Sequence, residues 1–215
     1  MTPFSDIALA AYCPRKLYYA RRTDRDPPPV VAARRAMAFE YPALLDDPER
    51  LAAAPTACPS ADWRAAIRRA RDLACWPAVT DPVDRDVLLE GRRCRGVVHK
   101  VLDLEPGPVP GMISAGQPPG HGVWTPDSVR AVAAASALAG EHERRVDHAV
   151  VEYPAVGVVR PIRIGVRRRA AFRRALRAAE SIDGPPPRLR SESKCRPCEY
   201  RGQCGVRTRS ARSWL

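Results

Sequence analysis

Two hydrophobic periods divide this chain. Before residue 86 the readable elements are helical; after it, period-two alternation takes over. Ser5–Tyr12 reads as a short helix, and Pro14 starts a second one through Tyr19, since proline is tolerated in a first turn. Residues 24–29 form a charged, proline-rich loop. Val30–Leu45 reads as an amphipathic helix broken at Pro42, and Leu51–Ser60 as a linker. Trp63, Ala66, Ile67, Ala70, Leu73 and Ala74 recur at helical spacing between arginines, which predicts a helix over Trp63–Trp76.

Alternation then predicts strands over Asp86–Glu90 and Cys94–Leu104, joined by a turn at Gly91, and a third over Val109–Ala115. An alanine-rich helix follows over Asp127–Glu141. Val146–Tyr153 and Val158–Val166 read as a hairpin around Gly157. Arg168–Ser181 reads as a basic helix with Phe172, Leu176 and Ala179 on its apolar side. Three prolines, 185–187, form a stiff spacer into the last segment. There is no internal repeat. This order predicts an α/β protein with a helical region over 1–85, an α/β core over 86–184 and a cysteine-rich cap over 185–215.

No stretch of 18 apolar residues occurs, so no membrane span is expected. The N-terminus lacks the basic and apolar run of a secretory leader, and a cytoplasmic location is expected. Net charge is +12, which favours an anionic partner, nucleic acid first. From Pro187 to Leu215 seven arginines and one lysine face two glutamates, a net +6. Arg15, Arg167, Arg173, Arg174, Arg177, Arg196 and Arg201 are the candidate phosphate contacts; an ordinary solvated charged surface is the competing reading. Only Lys16, Lys100 and Lys194 are lysines, against 33 arginines, so chemistry that needs a lysine has three candidates.

Cys195, Cys198 and Cys204 stand as C-x2-C-x5-C near the C-terminus, and Cys13 stands near the other end in "AAYCPRKLYYARR". Three clustered thiols and one distant thiol make a four-thiolate site for an iron–sulfur cluster or a structural zinc. A zinc ribbon would usually supply a second C-x2-C, which the chain lacks; a single distant fourth ligand fits a four-iron cluster better. Cys58, Cys75 and Cys94 read as ordinary core or strand cysteines. Tyr18 and Tyr19, beside Arg15, Lys16, Arg21 and Arg22, would pack against the centre or stack on bases. Closing a loop of about 180 residues would remove several kcal/mol of chain entropy from the unfolded state, so the centre reads as structural.

"CPRKLYYARR" and "PPPRLRSESKCRPCEYRGQC" resemble the CRISPR-associated exonucleases that carry a four-iron cluster, RecB-like members of the PD-(D/E)XK nuclease superfamily. "LLEGRRCRGVVHKVLDL" looks like the first nuclease strands, "SVRAVAAASALAGEHE" like the helix after the active-site strand, and "DHAVVEYPAVGVVRPIRIGV" like the later hairpin. The resemblance spans about residues 5–22 and 86–206. It implies a restriction-endonuclease-like core, a central mixed sheet flanked by helices, with an iron–sulfur cap joined to the N-terminal helix. Cys13, Cys195, Cys198 and Cys204 would ligate the cluster. It also implies work on DNA, single-stranded or at ends, beside CRISPR adaptation or repair proteins.

The family cuts DNA with Mg2+ or Mn2+ held by an aspartate on one strand and by E-x-K on the next. Here His99 stands at the aspartate, and Met112 and Ser114 stand at the glutamate and lysine. The family's helix glutamine is matched by Arg130, and none of His99, His121, His142 and His148 lies in an early helix. The leading expectation is therefore a catalytically degenerate homologue that binds DNA. The alternatives are an active exonuclease with relocated acids, drawn from Glu90, Asp103 and Glu105, and a structural interaction protein held by its cluster. His99 and Asp103 are expected on one strand face, with Lys100 on the other.

Overall fold

In the computed structural model, which describes residues 1–24 and 26–205, the alternating segments pair into one mixed, open sheet. The elements are β1 (Thr2–Pro3), α1 (Phe4–Tyr12), α2 (Pro14–Ala20), α3 (Pro29–Met37), α4 (Tyr41–Asp46), α5 (Pro48–Ala53), α6 (Ser60–Arg71), α7 (Trp76–Thr80), β2 (Asp84–Glu90), β3 (Cys94–Leu102), β4 (Val109–Ile113), α8 (Thr125–Glu141), β5 (His148–Tyr153), β6 (Val158–Arg163), α9 (Val166–Glu180) and α10 (Glu192–Cys195). A 3-10 turn spans Pro154–Val156.

β2 lies antiparallel along one edge of β3, from Asp84↔Val101 to Glu90↔Arg95. The other edge of β3 is shared. β1 runs parallel to its start at Thr2↔Cys94, and β4 runs antiparallel to its end, Lys100↔Gly111 to Leu102↔Val109. β4 is parallel to β5, with Gly111↔Val150, and β5–β6 is an antiparallel hairpin. A parallel pair needs a crossover, which α8 supplies. The buried alanines of α8 let it lie closely against β2 to β5, with α1 and α9 packed on it. At Gly96 a Cβ would meet the Phe4 ring at 2.5 Å, so the missing side chain is what lets α1 dock on β3. Gly157 turns the β5–β6 hairpin at φ 65°, and a Cβ there would also strike the Trp63 carbonyl at 2.8 Å.

The helical first third and the sheet share one core: Phe4, Ile7, Tyr41, Trp63 and Ile67 cluster with Val98, Leu102, Val132 and Val151. The break expected at Pro42 in the helix over 30–45 falls earlier, between Met37, where α3 ends, and Tyr41, where α4 begins. Pro42 lies in the first turn of α4, where its missing N–H costs nothing, so a new helix starts there. The expected linker from Leu51 is helical up to Ala53, because Asp47 accepts from the Glu49 and Arg50 amides at 3.0 and 2.9 Å and caps α5. The strand expected to reach Leu104 ends at Leu102.

Lys100 and Glu152 form a fully buried ion pair, both side chains at 0% exposure, across the gap that Gly111 leaves between β3 and β5. Lys100 Nζ donates to Glu152 Oε2 at 2.8 Å, to the Ala38 carbonyl at 2.6 Å and to the Val79 carbonyl at 2.8 Å. Burial lowers the Lys100 ammonium and raises the Glu152 carboxyl, and each partner's charge opposes the shift of the other. Tyr41 stands beside Glu152, and burial and that carboxylate push its hydroxyl well up. Glu152 Oε1 is turned toward the Tyr41 hydroxyl and not toward Lys100, which holds Oε2. Replacing Lys100 by Met would leave Glu152 buried without its cation. Urea unfolding should show K100M losing about 3–5 kcal/mol, and K100M/E152M, which removes both charges, recovering much of it.

Candidate functional site

β3 and β4 stop pairing after Lys100↔Gly111, and the strands part around Ile113. Side chains take over there. His99 Nδ1 accepts the Ile113 amide at 2.9 Å, and Arg130 Nη2 donates to the Ile113 carbonyl at 2.5 Å. The Ser114 amide is satisfied on the far side by the Glu152 carbonyl at 2.8 Å. His99 is 8% exposed. Burial, then the charges of Arg130, Arg35 and Lys100, lower its pKa to about 2, so the ring is neutral. Because Nδ1 accepts, the ring proton sits on Nε2. Burial also lowers Arg130, whose Nε is buried with no hydrogen-bond partner among the described residues.

The acids near this point are already engaged. Asp127, in the first turn of α8, accepts from the Tyr153 hydroxyl at 2.9 Å and faces Arg130. Asp86, at φ 52° in β2, is ion-paired with Arg35. Met112 is buried on β4. The resulting centre is rich in donors and poor in free carboxylate, the reverse of what a divalent cation needs.

The acids named from sequence do not gather here. Glu90 lies at the far end of the β2–β3 hairpin and pairs with Arg95 at 3.7 Å. Asp103 follows the end of β3, eight residues beyond Arg95, roughly 26 Å away at strand rise. Asp103 therefore shares no strand face with His99. It lines, with Glu105, a separate pocket of about 640 Å3 together with Arg144, Asp147 and His148. Sequence reading missed Glu152 and Tyr41. The signal for Glu152 was a single acid inside the apolar run "HAVVEY".

Cys13, Cys195, Cys198 and Cys204 line one cavity of about 30 Å3 with Tyr12, Lys16, Tyr19, Lys194 and Tyr200. Cys13 sits in extended backbone at the junction of α1 and α2, which turns its side chain out of both helices. The cap is tied to that junction by polar contacts: Lys194 Nζ donates to the Tyr12 carbonyl at 3.0 Å, the Tyr12 hydroxyl to the Lys194 carbonyl at 3.2 Å, and the Tyr19 hydroxyl to the Gln203 carbonyl at 2.9 Å. Lys16 pairs with Glu199 at 3.1 Å. Burial raises the Tyr12 hydroxyl, the Lys16 ammonium opposes it, and Cys198, Cys13 and Cys195 add smaller upward pushes. Tyr19 stacks on Tyr200 at 5.8 Å, while Tyr18 carries the Arg22 guanidinium at 3.6 Å and does not line the cavity.

Among the described residues no three Cys, His, Asp or Glu side chains draw together closely enough to hold a single metal ion. The residues nevertheless fit a larger anionic thiolate centre. Four thiols face one cavity with two ammonium groups, Lys16 and Lys194, whose charge would offset that of thiolate ligands. The other cysteines are elsewhere and free; burial raises Cys58 and Cys75, and pushes Cys94 up to about 11.

Arg167, Arg173, Arg174 and Arg177 are exposed along α9, whose Leu176 and Ala179 are buried and whose Phe172 is partly so. Arg15 is spent on the Pro186 carbonyl at 2.8 Å. Arg196 and Arg201 are exposed beside the cysteines; Arg207, Arg209 and Arg212 lie outside the described residues. Among the described residues no helix is long and apolar enough to cross a membrane. No protein-family model matches the chain, and no curated protein matches it.

The unfolded chain protonates His99 near pH 6.5, whereas the folded protein holds it neutral down to about pH 2. Its contribution to stability is therefore complete above about pH 6.5. Below that it falls by about 1.4 kcal/mol per pH unit. His99→Asn keeps an oxygen for the Ile113 amide and removes the titrating ring. Urea unfolding between pH 6 and pH 4 should show an acid slope shallower by one proton than in the parent protein.

Proposed function

We propose that this chain is a DNA-binding protein of the RecB-like nuclease type whose hydrolytic metal site has been replaced, and whose four cysteines hold a four-iron cluster. One observation carries the reading. His99 and Arg130, matched to the family's aspartate and glutamine from two separate motifs, meet at one residue, Ile113, where the strands part. The order of three antiparallel strands, crossover helix and parallel strand agrees with such a core. The residue types argue against hydrolysis. Among the described residues, the place where a lysine and a carboxylate meet on the sheet is Lys100–Glu152, sealed in the core and with no second carboxylate bonded to it.

The spacing supports a cluster over zinc: a single distant fourth cysteine, Cys13, joins Cys195, Cys198 and Cys204, and the second C-x2-C of a zinc ribbon is missing. The bound cluster would act structurally, tying the α1–α2 junction to the C-terminal cap. Mg2+ or Mn2+ enters only under the alternative of an active enzyme. DNA is the partner that the +12 charge favours, and adaptation or repair proteins follow from the family resemblance alone.

Anaerobic purification with iron and sulfide analysis tests this, together with binding and degradation of single-stranded DNA on the same sample. The expected protein is brown, with about four irons per chain. It binds DNA with an affinity that falls with salt, and it leaves the DNA intact with Mn2+. Cys13→Ser should lose the iron and the stability with it. Degradation that stops with chelator would overturn the degenerate reading, and a colourless zinc protein would overturn the cluster.

A further inference from the structure

Beside the cap lies a groove of about 710 Å3 lined by Arg188, Leu189, Arg190, Ser191, Glu192, Cys195, Arg196 and Arg201. Four guanidinium groups face one carboxylate across it. None of the four has an ion pair among the described residues; Arg188 makes a single long bond to the Gly205 carbonyl at 3.3 Å. Unpaired arginines in a concave wall differ from the equally exposed arginines of α9. A cleft walled by low-dielectric protein focuses the field of its charges, whereas a convex helix face spends it in water. The groove's size suits a flexible strand of a few nucleotides, since a duplex could present only its rim to it.

We infer that this groove binds the phosphates of a single DNA strand, with Arg188, Arg190, Arg196 and Arg201 as the contacts. The inference rests on the DNA-binding reading above and says where on the chain that binding occurs. It also joins the groove to the cysteine centre. Leu189, Cys195 and Arg201 line both cavities, so they form a common wall between strand and thiols. Within the described part of the cap only Tyr200 is buried, and α10 is a single turn. The groove's shape therefore comes from the thiol centre and the polar ties to Tyr12, Lys16 and Tyr19, and not from an apolar core of its own.

Fluorescence anisotropy with a short labelled oligothymidylate, over a salt series, tests the assignment on the cluster-loaded protein. Two groove pairs, R188A/R190A and R196A/R201A, are compared with R173A/R174A on α9. All six positions are exposed, and the visible spectrum of each variant reports whether the centre is intact. A single-strand phosphate contact contributes about 0.7 to the salt slope. Each groove pair should therefore lower the slope by about 1.4 and weaken binding about tenfold near physiological salt, while the α9 pair stays near the parent. Parent-like binding by both groove pairs, or an equal loss in the α9 pair, would overturn the groove while leaving DNA binding standing. A parent protein that does not bind the strand would overturn both readings. Tighter binding to a duplex or to oligouridylate of the same length would overturn the assignment to single-stranded DNA.

Discussion

The Lys100 ammonium is buried where four parts of the fold come together. Its three N–H groups go to Glu152 on β5, to the Ala38 carbonyl just after α3 and to the Val79 carbonyl in α7. Its own strand, β3, is the strand on which β1, β2 and β4 all register. Three donors meet three acceptors, so the charge enters the core with its hydrogen-bonding capacity used. Such a pair adds little net stability over an apolar core of the same shape, yet losing either half is costly. The helical first third is thereby held to the sheet by polar bonds whose direction matters. Hydrophobic contact between Tyr41, Trp63 and the strands then closes around them.

The same pairing fixes the neighbouring site. Because Lys100 points to Glu152, alternation turns His99 the other way, toward the end of β4, where no strand partner remains for the Ile113 amide. An imidazole there is a hydrogen-bond acceptor that supports backbone. An aspartate in its place would carry a charge beside Arg130 and Arg35. The local electrostatics thus follow from the residue types present at His99, Arg130 and Arg35. Cations and a neutral ring stand without free carboxylates, and a group of that kind attracts anions and repels Mg2+. The donor-rich groove beside Cys195 extends the same sign of charge to the surface.

Much of the fold is legible in the residues themselves. Period-two alternation located β2 to β6, and the alanine run located α8, because both elements are long enough to repeat their pattern. Two residues of β1 are too few to alternate, and α5 was hidden by Pro48, since prolines begin helices as readily as they end them. The cysteine motifs at the two chain ends do meet on one cavity. The partners of Lys100 were illegible for a physical reason. Two of its three acceptors are backbone carbonyls, which no side-chain pattern records, and Glu152 lies 52 residues away. The face expected to be shared by His99 and Asp103 fails because strand parity says which face a residue takes and nothing about where the strand stops, and β3 stops at Leu102.

The use of lysine in a chain with 33 arginines sharpens this picture. One of its three lysines is the core ammonium, and the other two, Lys16 and Lys194, lie over the Tyr12 ring at 5.5 and 5.0 Å beside the cysteine cavity. A guanidinium carries five donors in a plane and would leave some of them unpaired at either place. A compact ammonium satisfies its donors within a small radius and still delivers a full positive charge. At Lys100 that charge neutralises one buried carboxylate. At Lys16 and Lys194 it stands beside four thiols whose ionised forms need nearby cations. Arginines serve where a longer reach is needed: Arg130 reaches the Ile113 carbonyl and Arg15 the Pro186 carbonyl, while Arg167, Arg173, Arg174 and Arg177 stay exposed along α9.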